Sequence, residues 1–330
     1  MAVYTHLDNR ALRQHLRPFR LGDLLEARPV LAGTINTIYE VCTTRGRYIL
    51  RILENRSSTD AKFEEALLLR LVERGLAVPR MVGAGRRGHV MQIAPRQQLS
   101  VFQYLPGREL GAFEVSPAHT AQVGRFLATM HGAAKGLGRR RQNRFDPNHV
   151  SRTLGRIRSF GGTVSQCQDM QTLGNELLLH DWDRGWPRGT VHGDMFIDNV
   201  RFCAGRLCGV LDFEMAATGP YLYDLAVALC DWGFALDRFE PLRAAALVQG
   251  YEQGRPLSQI EHSALYMLCR FAATRFAISR FYDFEVRQRP NAKRLYKDYR
   301  HFLSRLLSLQ RLGEANFLNC LYGRSTQLRV

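Results

Sequence analysis

About a third of the way along the chain, the spacing of its apolar residues changes. Before that point they come in short runs. The segments RPVLAGT (28–34), NTIYEVCTT (36–44) and GRYILRILE (46–54) are rich in Val, Ile, Tyr and Thr and are broken at Gly33 and at Arg45-Gly46. This pattern predicts three antiparallel strands. Asp8 is placed to cap a short helix over 9–17. Thr59 or Asp60 is placed to cap a longer one through FEEALLLRLVERG, which has acids in its first half and Gly75 at its end. Two further short strands are predicted near 89–94 and 99–104. Leu105-Pro106-Gly107 then interrupts the pattern and is the predicted hinge.

After the hinge the spacing turns helical. Ser116-Pro117 is a helix start, and Val123, Phe126, Leu127 and Met130 fall on one face of the helix it opens. Further helices fit near 169–180, 222–235, 258–284 and 291–311. Residues 135–150, KGLGRRRQNRFDPNHV, carry no period and are expected to form a surface loop with Arg139, Arg140, Arg141 and Arg144 in solvent. The plan is α+β in unequal lobes: a small antiparallel-sheet N-terminal lobe over 1–105 and a larger helical C-terminal lobe over 106–330.

Composition narrows the class. With 45% apolar and 23% charged residues over 330 positions, disordered and fibrous classes are excluded. Lys plus Arg number 46 against 30 acids, a net charge of +16, which favours a polyanionic partner. Only Lys62, Lys135, Lys293 and Lys297 are lysines, so the excess is arginine, spread through every segment like a solvated basic surface. Aromatic residues do not interleave with it as a nucleic-acid stacking platform requires, so no nucleic acid is expected. The seven cysteines are mostly isolated and read as small buried hydrophobes in a reducing compartment. Cys203 and Cys208 are the one close pair, and no second Cys/His pair stands at zinc-ligand spacing. No window approaches the ~18 apolar residues of a spanning helix, so a cytoplasmic location without membrane association is expected.

Chemistry concentrates in residues 189–214, GTVHGDMFIDNVRFCAGRLCGVLDFE. His192, Gly193, Asp194 and Asn199 form HGDxxxxN, and Asp212 stands beyond them at the end of the apolar strand GVL. Phosphoryl transfer needs a carboxylate to orient or deprotonate the attacking hydroxyl, hard oxygen ligands for Mg²⁺, and donors on the phosphates. Asp194 suits the base, Asn199 with Asp212 the metal ligands, and His192 a hydrogen-bonding brace for the loop. Asp and Asn also favour turns for backbone reasons alone. Four polar positions fitting one template between apolar strands favour function. Phe196 and Ile197 are expected to anchor the loop to the core. His131 is read as structural, and Asp224 as a helix cap that also ties down the loop.

HGDMFIDN with VLDFE resembles the kinase-like small-molecule phosphotransferases, the superfamily of aminoglycoside phosphotransferases and choline kinases. VFQYLPG and TGPYLYDLAVAL are similar to it as well. The start MAVYT and the stretches TTRGRYILRILE, YDLAVALCDWGF and CRFAATRFAISRFYD most resemble homoserine kinases of the aminoglycoside-phosphotransferase-like type. The resemblance implies a two-lobed, protein-kinase-like fold with ATP under the small-lobe sheet. It further implies ATP- and Mg²⁺-dependent transfer of the γ-phosphoryl group to the hydroxyl of a small amino alcohol, L-homoserine first. The alternatives are an aminoglycoside, choline-like or other amino-alcohol acceptor, or a non-catalytic basic binding protein on the same fold. HGD for HRD, DFE for DFG and the lack of an APE motif argue against a protein kinase.

Arg51 stands where the superfamily commonly has a phosphate-binding lysine, and Arg can grip phosphate bidentately. Its orienting partner is expected to be Glu65 or Glu64; the alternative for Arg51 is a strand residue snorkelling to solvent. Asn36 and Tyr39 match the loose phosphate loop of the resembled kinases. Backbone groups from Gln103 to Leu105 would hold adenine between Ile35, Ile49 and Phe102. On the acceptor side, Asp231 would meet an ammonium, Trp232 would form an apolar wall, and Arg275 or Arg280 would take a carboxylate.

Overall fold

Asp8 caps the first helix as expected: its carboxylate accepts the Ala11 N–H at 2.7 Å at the start of α1 (Asn9–Leu16). The computed structural model describes residues 5–30, 36–54, 57–179, 185–287 and 296–323. Strands β1 (Leu24–Pro29), β2 (Thr37–Thr43), β3 (Gly46–Leu53), β4 (Val90–Ala94) and β5 (Gln97–Gln103) form one antiparallel sheet in the order β1-β2-β3-β5-β4. The first strand begins earlier than the apolar run 28–34 suggested, and residues 31–34 of that run lie outside the described residues. Helix α2 (Ser58–Glu73) joins β3 to β4, and its cap is Ser57, whose side chain accepts the Asp60 N–H, not Thr59 or Asp60. Asp60 thus lies inside the first turn with its carboxylate free for cationic partners.

The remainder is mainly helical, with α3 (Pro117–Ala133), α4 (Pro147–Arg158) and α5 (Val164–Leu177) leading to short strands β6 (Arg188–Val191), β7 (Val200–Cys203), β8 (Arg206–Val210) and β9 (Ala217–Pro220). Next come helix α6 (Tyr221–Trp232), the small ribbon β10 (Phe234–Ala235) and β11 (Arg238–Phe239), and helices α7 (Pro241–Glu252), α8 (Gln259–Phe281), α9 (Arg300–Leu312) and α10 (Glu314–Tyr322). Strand β6 pairs with β9, and β7 with β8. The architecture is α+β, an antiparallel sheet beside a larger helical region. No described helix is long and apolar enough to cross a membrane.

Two expectations for 135–150 are corrected. Asp146 caps α4 by accepting the His149 N–H at 2.8 Å, and Val150, Leu154 and Ile157 turn inward at helical spacing, so the run ends in a packed helix. Arg141 is buried, not solvated. Its Nε meets Asp60 Oδ1 at 2.9 Å, and its Nη1 donates to the Glu214 and Ala216 carbonyls at 2.6 and 3.0 Å. Arg144 takes the other oxygen of Asp60. A guanidinium's five donors suit this work, and it explains why an Arg-rich run can be structural.

The cysteines match expectation only in part. Cys230 and Cys269 are buried, Cys42 and Cys320 half-buried and Cys167 exposed, while Cys203 and Cys208 form a disulfide across the β7–β8 hairpin. Gly107 packs over that pair with φ of +97°; a Cβ there would lie 2.6 Å from Cys208 Sγ, so this position favours glycine on both counts.

Burial divides into two clusters. Leu50 and Ile52 of β3 join Val41, Leu99 and Val101 under Leu12, Leu16 and Phe19 on one face of the sheet. The apolar face of α2, with Phe63, Leu67, Leu68 and Leu71, belongs instead to the larger cluster with Val123, Leu127 and Met130 of α3. Each such side chain contributes about 1.5–3 kcal/mol when fully buried. Because side chains alternate along β3, Ile49 and Arg51 face away from the smaller cluster and toward the cleft below the sheet.

Candidate functional site

The HGD turn is held by its backbone. Gly193 has φ of +78°, and a Cβ there would approach the Met215 carbonyl oxygen to 3.1 Å. The His192 and Gly193 N–H groups donate to the two oxygens of Asp224 at 2.6 and 2.7 Å. Asp224 is fully buried on α6, and His131 Nε2 lies 3.0 Å from it while His131 Nδ1 meets the Tyr251 hydroxyl at 2.8 Å. Burial would push the Asp224 carboxyl up, but the hydrogen bond and charge of His131, with the Gly193 N–H, hold it below the usual carboxylate range. Helix α6 begins at Tyr221, so Asp224 clamps the loop and is not that helix's cap.

His192 is a brace. Its Nδ1 accepts the Asp194 N–H at 3.3 Å and its Nε2 donates to the Leu211 carbonyl at 3.0 Å. Burial lowers its pKa, in keeping with the neutral ring this donor-acceptor pattern requires. Phe196 packs on Phe276 and Phe302 at centroid distances of 4.5 and 5.5 Å, anchoring the loop as expected.

Four acceptor-side expectations end behind this loop instead of in front of it. Trp232 is fully buried, and its Nε1 donates to the Met195 carbonyl at 3.0 Å. Asp231 accepts the Ile197 N–H at 2.8 Å through one oxygen and holds Arg305 at 2.8 Å through the other. Arg275 is sealed between the rings of Phe145 and Phe276, at 3.6 and 3.7 Å, where burial lowers its pKa. Arg280 lies over Phe302 and donates to the Asp298 carbonyl. None of the four lines the cleft. Sequence proximity to the motif was informative about packing, because the helix that carries the loop must also support it.

The cleft, of about 360 Å³, lies between sheet and loop. Asn36, Arg51, Asp194, Asn199 and Asp212 all line it, joined by Glu214. Ile49, Phe102, Gln103 and Leu105 line it as well. Ile35 lies outside the described residues. The Gln103 and Tyr104 N–H groups are spent on the Arg80 and Arg47 carbonyls. Asn36 donates to Glu214 and accepts the Glu54 N–H through Oδ1.

Arg51 is 7% exposed and pairs with Glu64, 3% exposed, at 2.8 Å. The pairing falls to Glu64, not Glu65: one residue turns a helix by about 100°, and Glu65 is thereby directed to His89, at 3.0 Å. Burial opposes the charge of Arg51, and Glu64, Asp212 and Glu214 more than offset it.

Asn199 donates to the Asp194 carbonyl at 2.8 Å and to its Oδ2 at 3.2 Å. Asp212, in a left-handed conformation with φ of +61°, ends the segment that starts at β8. Burial and then the neighbouring Glu214 push its carboxyl well above the usual range. Burial and then Asp198 push Asp194 up to about 6 against the opposing charges of Arg275 and Lys297. Carboxylates crowded in this way invite a cation. Among the described residues no group of three or more His, Cys, Asp or Glu forms an all-protein metal cage. Two oxygen donors, from Asn199 and Asp212, fit a hard cation that completes its shell with phosphate and water.

Several charged cleft residues have no role assigned from the sequence, among them Glu214, Asp198 and Lys297. Glu214 was visible in VLDFE. Lys297 had a subtler signal, being one of four lysines in a chain that otherwise uses arginine.

The sequence pattern of a phosphotransferase enzyme family matches residues 26–258. Homoserine kinase of Gluconacetobacter diazotrophicus is 36% identical over 312 residues, which cover 93% of this chain and 96% of that protein. Homoserine kinase of Parvibaculum lavamentivorans is 31% identical over 319 residues, 93% and 95% of the two chains. The solved structure of amicoumacin kinase hAmiN in complex with AMP-PNP, Ca²⁺ and Ami superposes with a TM-score of 0.67 at 17% identity, over 93% of each chain, and so shares the two-lobed kinase-like fold. Agreement over nearly the full length of both partners, in sequence and in fold, means that this chain belongs to the phosphotransferase enzyme family.

Proposed function

We propose that the chain transfers the γ-phosphoryl group of ATP to the side-chain hydroxyl of L-homoserine, giving O-phospho-L-homoserine and ADP. The observation that carries the reading is the cleft that Asp194, Asn199, Asp212 and Arg51 line together, with the Asn199 amide N–H donating to Asp194. The identity of 31–36% to homoserine kinases over 93% of the chain supports the choice of acceptor.

In this reading ATP lies with its base near Gln103 to Leu105, between Ile49 and Phe102, and its phosphates toward Arg51. Arg51 neutralises phosphate charge, with Glu64 fixing the guanidinium. Asn199 and Asp212 would hold Mg²⁺, which would supply positive charge against the charge that develops on the phosphates. Asp194 accepts the hydroxyl proton as the acceptor oxygen bonds to the γ-phosphorus and the bond to the β–γ bridging oxygen breaks. His192 and Asp224 act through position alone, keeping Asp194 aligned. Little covalent chemistry falls to the protein, so most of the acceleration comes from orientation and charge stabilisation.

The test is product formation across a panel of hydroxyl acceptors: L-homoserine, choline, simple amino alcohols and an aminoglycoside. L-homoserine is expected to give the highest kcat/KM. Strong turnover of another alcohol with none of homoserine would overturn the choice of acceptor and leave the phosphotransferase assignment intact.

A further inference from the structure

We propose that Asp198 and Lys297 form the clamp for the acceptor's amino-acid head group, Lys297 taking the carboxylate and Asp198 the ammonium. This rests on homoserine being the acceptor. That molecule presents a carboxylate, an ammonium and, two methylene groups away, the hydroxyl that must reach Asp194. Its site therefore needs a cation and an acid beside the base. Asp231 is taken up by the Ile197 N–H and Arg305, and Arg275 is sealed between Phe145 and Phe276 and does not line the cleft, whereas a ligand in the cleft meets the charged pair on its wall.

Asp198 and Lys297 line the same cleft as Asp194. Lys297 Nζ lies 2.8 Å from Asp198 Oδ2, with the two side chains 26% and 44% exposed, so a ligand can reach both. The other carboxylate oxygen, Asp198 Oδ1, is buried and has no hydrogen-bond partner among the described residues. Both charges are near enough to Asp194 to act on its carboxyl. Arg280 adds a positive charge from behind, close enough to interact with Asp194 and Asp198. The cleft holds a second pair, Arg201 with Glu109 at 3.6 Å, but Glu109 is 60% exposed and the pair is not among the principal charges on Asp194. It serves as the comparison.

A zwitterion enters such a pair by exchange. One ion pair within the protein becomes two ion pairs with the ligand, so no charge is left buried without a counter-charge. Lysine suits this, because its compact ammonium on a flexible stem can turn from Asp198 to a carboxylate while keeping its donors in use. The exchange also yields selectivity. An amino alcohol without a carboxylate must compete with Lys297 for Asp198, and a hydroxy acid without an ammonium must draw Lys297 away and leave Asp198 unpaired.

The test compares kcat/KM for L-homoserine, 3-amino-1-propanol and 4-hydroxybutyrate, with KM for ATP as the second readout. In Lys297→Met the preference for homoserine over 3-amino-1-propanol is expected to fall by about 10- to 100-fold, the range for one charge-assisted contact, mainly through KM for homoserine. In Asp198→Asn the preference over 4-hydroxybutyrate should fall by a similar factor. Glu109→Gln should leave both preferences as they are. The double variant Asp198→Asn/Lys297→Met leaves no unpaired charge and should lose both preferences even where a single variant folds poorly. If Lys297→Met lowers kcat equally for all three acceptors, or raises KM for ATP, the lysine serves the phosphates and the clamp is refuted while the homoserine reading stands. If the wild-type enzyme ignores homoserine, it is that reading which fails.

Discussion

Replacing Asp224 with Asn tests the view that the catalytic loop is held from below by one buried carboxylate. The side chain keeps its size but loses its charge, and an amide presents one acceptor oxygen where the carboxylate presents two. The N–H groups of His192 and Gly193, at 2.6 and 2.7 Å, then compete for that oxygen, and one of them meets an NH₂ group. A hydrogen bond to a charged group contributes about 1.5–3 kcal/mol, and a buried donor left without a partner costs about 1–3 kcal/mol more. The sum is roughly 3–5 kcal/mol. Over 330 residues that corresponds to a fall in Tm of about 4–7 °C. The pH dependence has a definite sign. Asp224 titrates lower in the folded protein than the ~3.9 of an unfolded aspartate, so its stabilisation is present in full above that value and is lost as pH falls through the folded pKa. Thermal unfolding of Asp224→Asn and wild type at pH 7 should show the full gap, which narrows only below about pH 4. At pH 7 kcat should also fall by about 10²-fold, because Asp194 comes directly after the two released N–H groups. A variant that melts within about 1 °C of wild type, or a gap that stays constant into acid, would refute the argument.

Three further outcomes are expected of the site. Asp194→Ala should reduce kcat by about 10²–10⁴-fold with nucleotide binding retained, as steady-state kinetics and nucleotide titration would show together; near-normal turnover removes Asp194 as the base. Asp212→Ala should weaken nucleotide binding in the presence of Mg²⁺ much more than in its absence, measured by calorimetric titration with and without the metal. Glu64→Gln should raise KM for ATP, whereas Glu65→Gln should leave it near the wild-type value; equal effects would mean that the Arg51–Glu64 pair does not orient the phosphates.

The parts of this site that a single loop carries could be read from the sequence. Asp194, Asn199 and Asp212 lie within one strand-turn-hairpin block, so their spacing reports their geometry directly. Glu64 against Glu65 could not be decided that way, since one step of helix rotation settles which acid meets Arg51 and apolar spacing leaves both open. Arg141 was hidden by its neighbours: three arginines in a row look solvated until Asp60 and two carbonyls converge on the third. Asp231 and Trp232 were placed on the correct helix but the wrong side of the loop, because a periodicity identifies an inward face without saying what it supports. Lys297 lay furthest out of reach, since nearly a hundred residues separate it from the aspartate it contacts.

The Arg51–Glu64 pair joins a strand and a helix whose main apolar faces lie in different clusters, with Phe102 and Ile49 of the sheet also packed on the larger one. Arg51 rides on a strand whose other face belongs to the small cluster, while Glu64 rides on a helix rooted in the large one. A rocking of the sheet relative to α2 would change that 2.8 Å contact. A change in the angle between sheet and helix and a change in the setting of Arg51 would thus be one event, linking the two ends of the cleft.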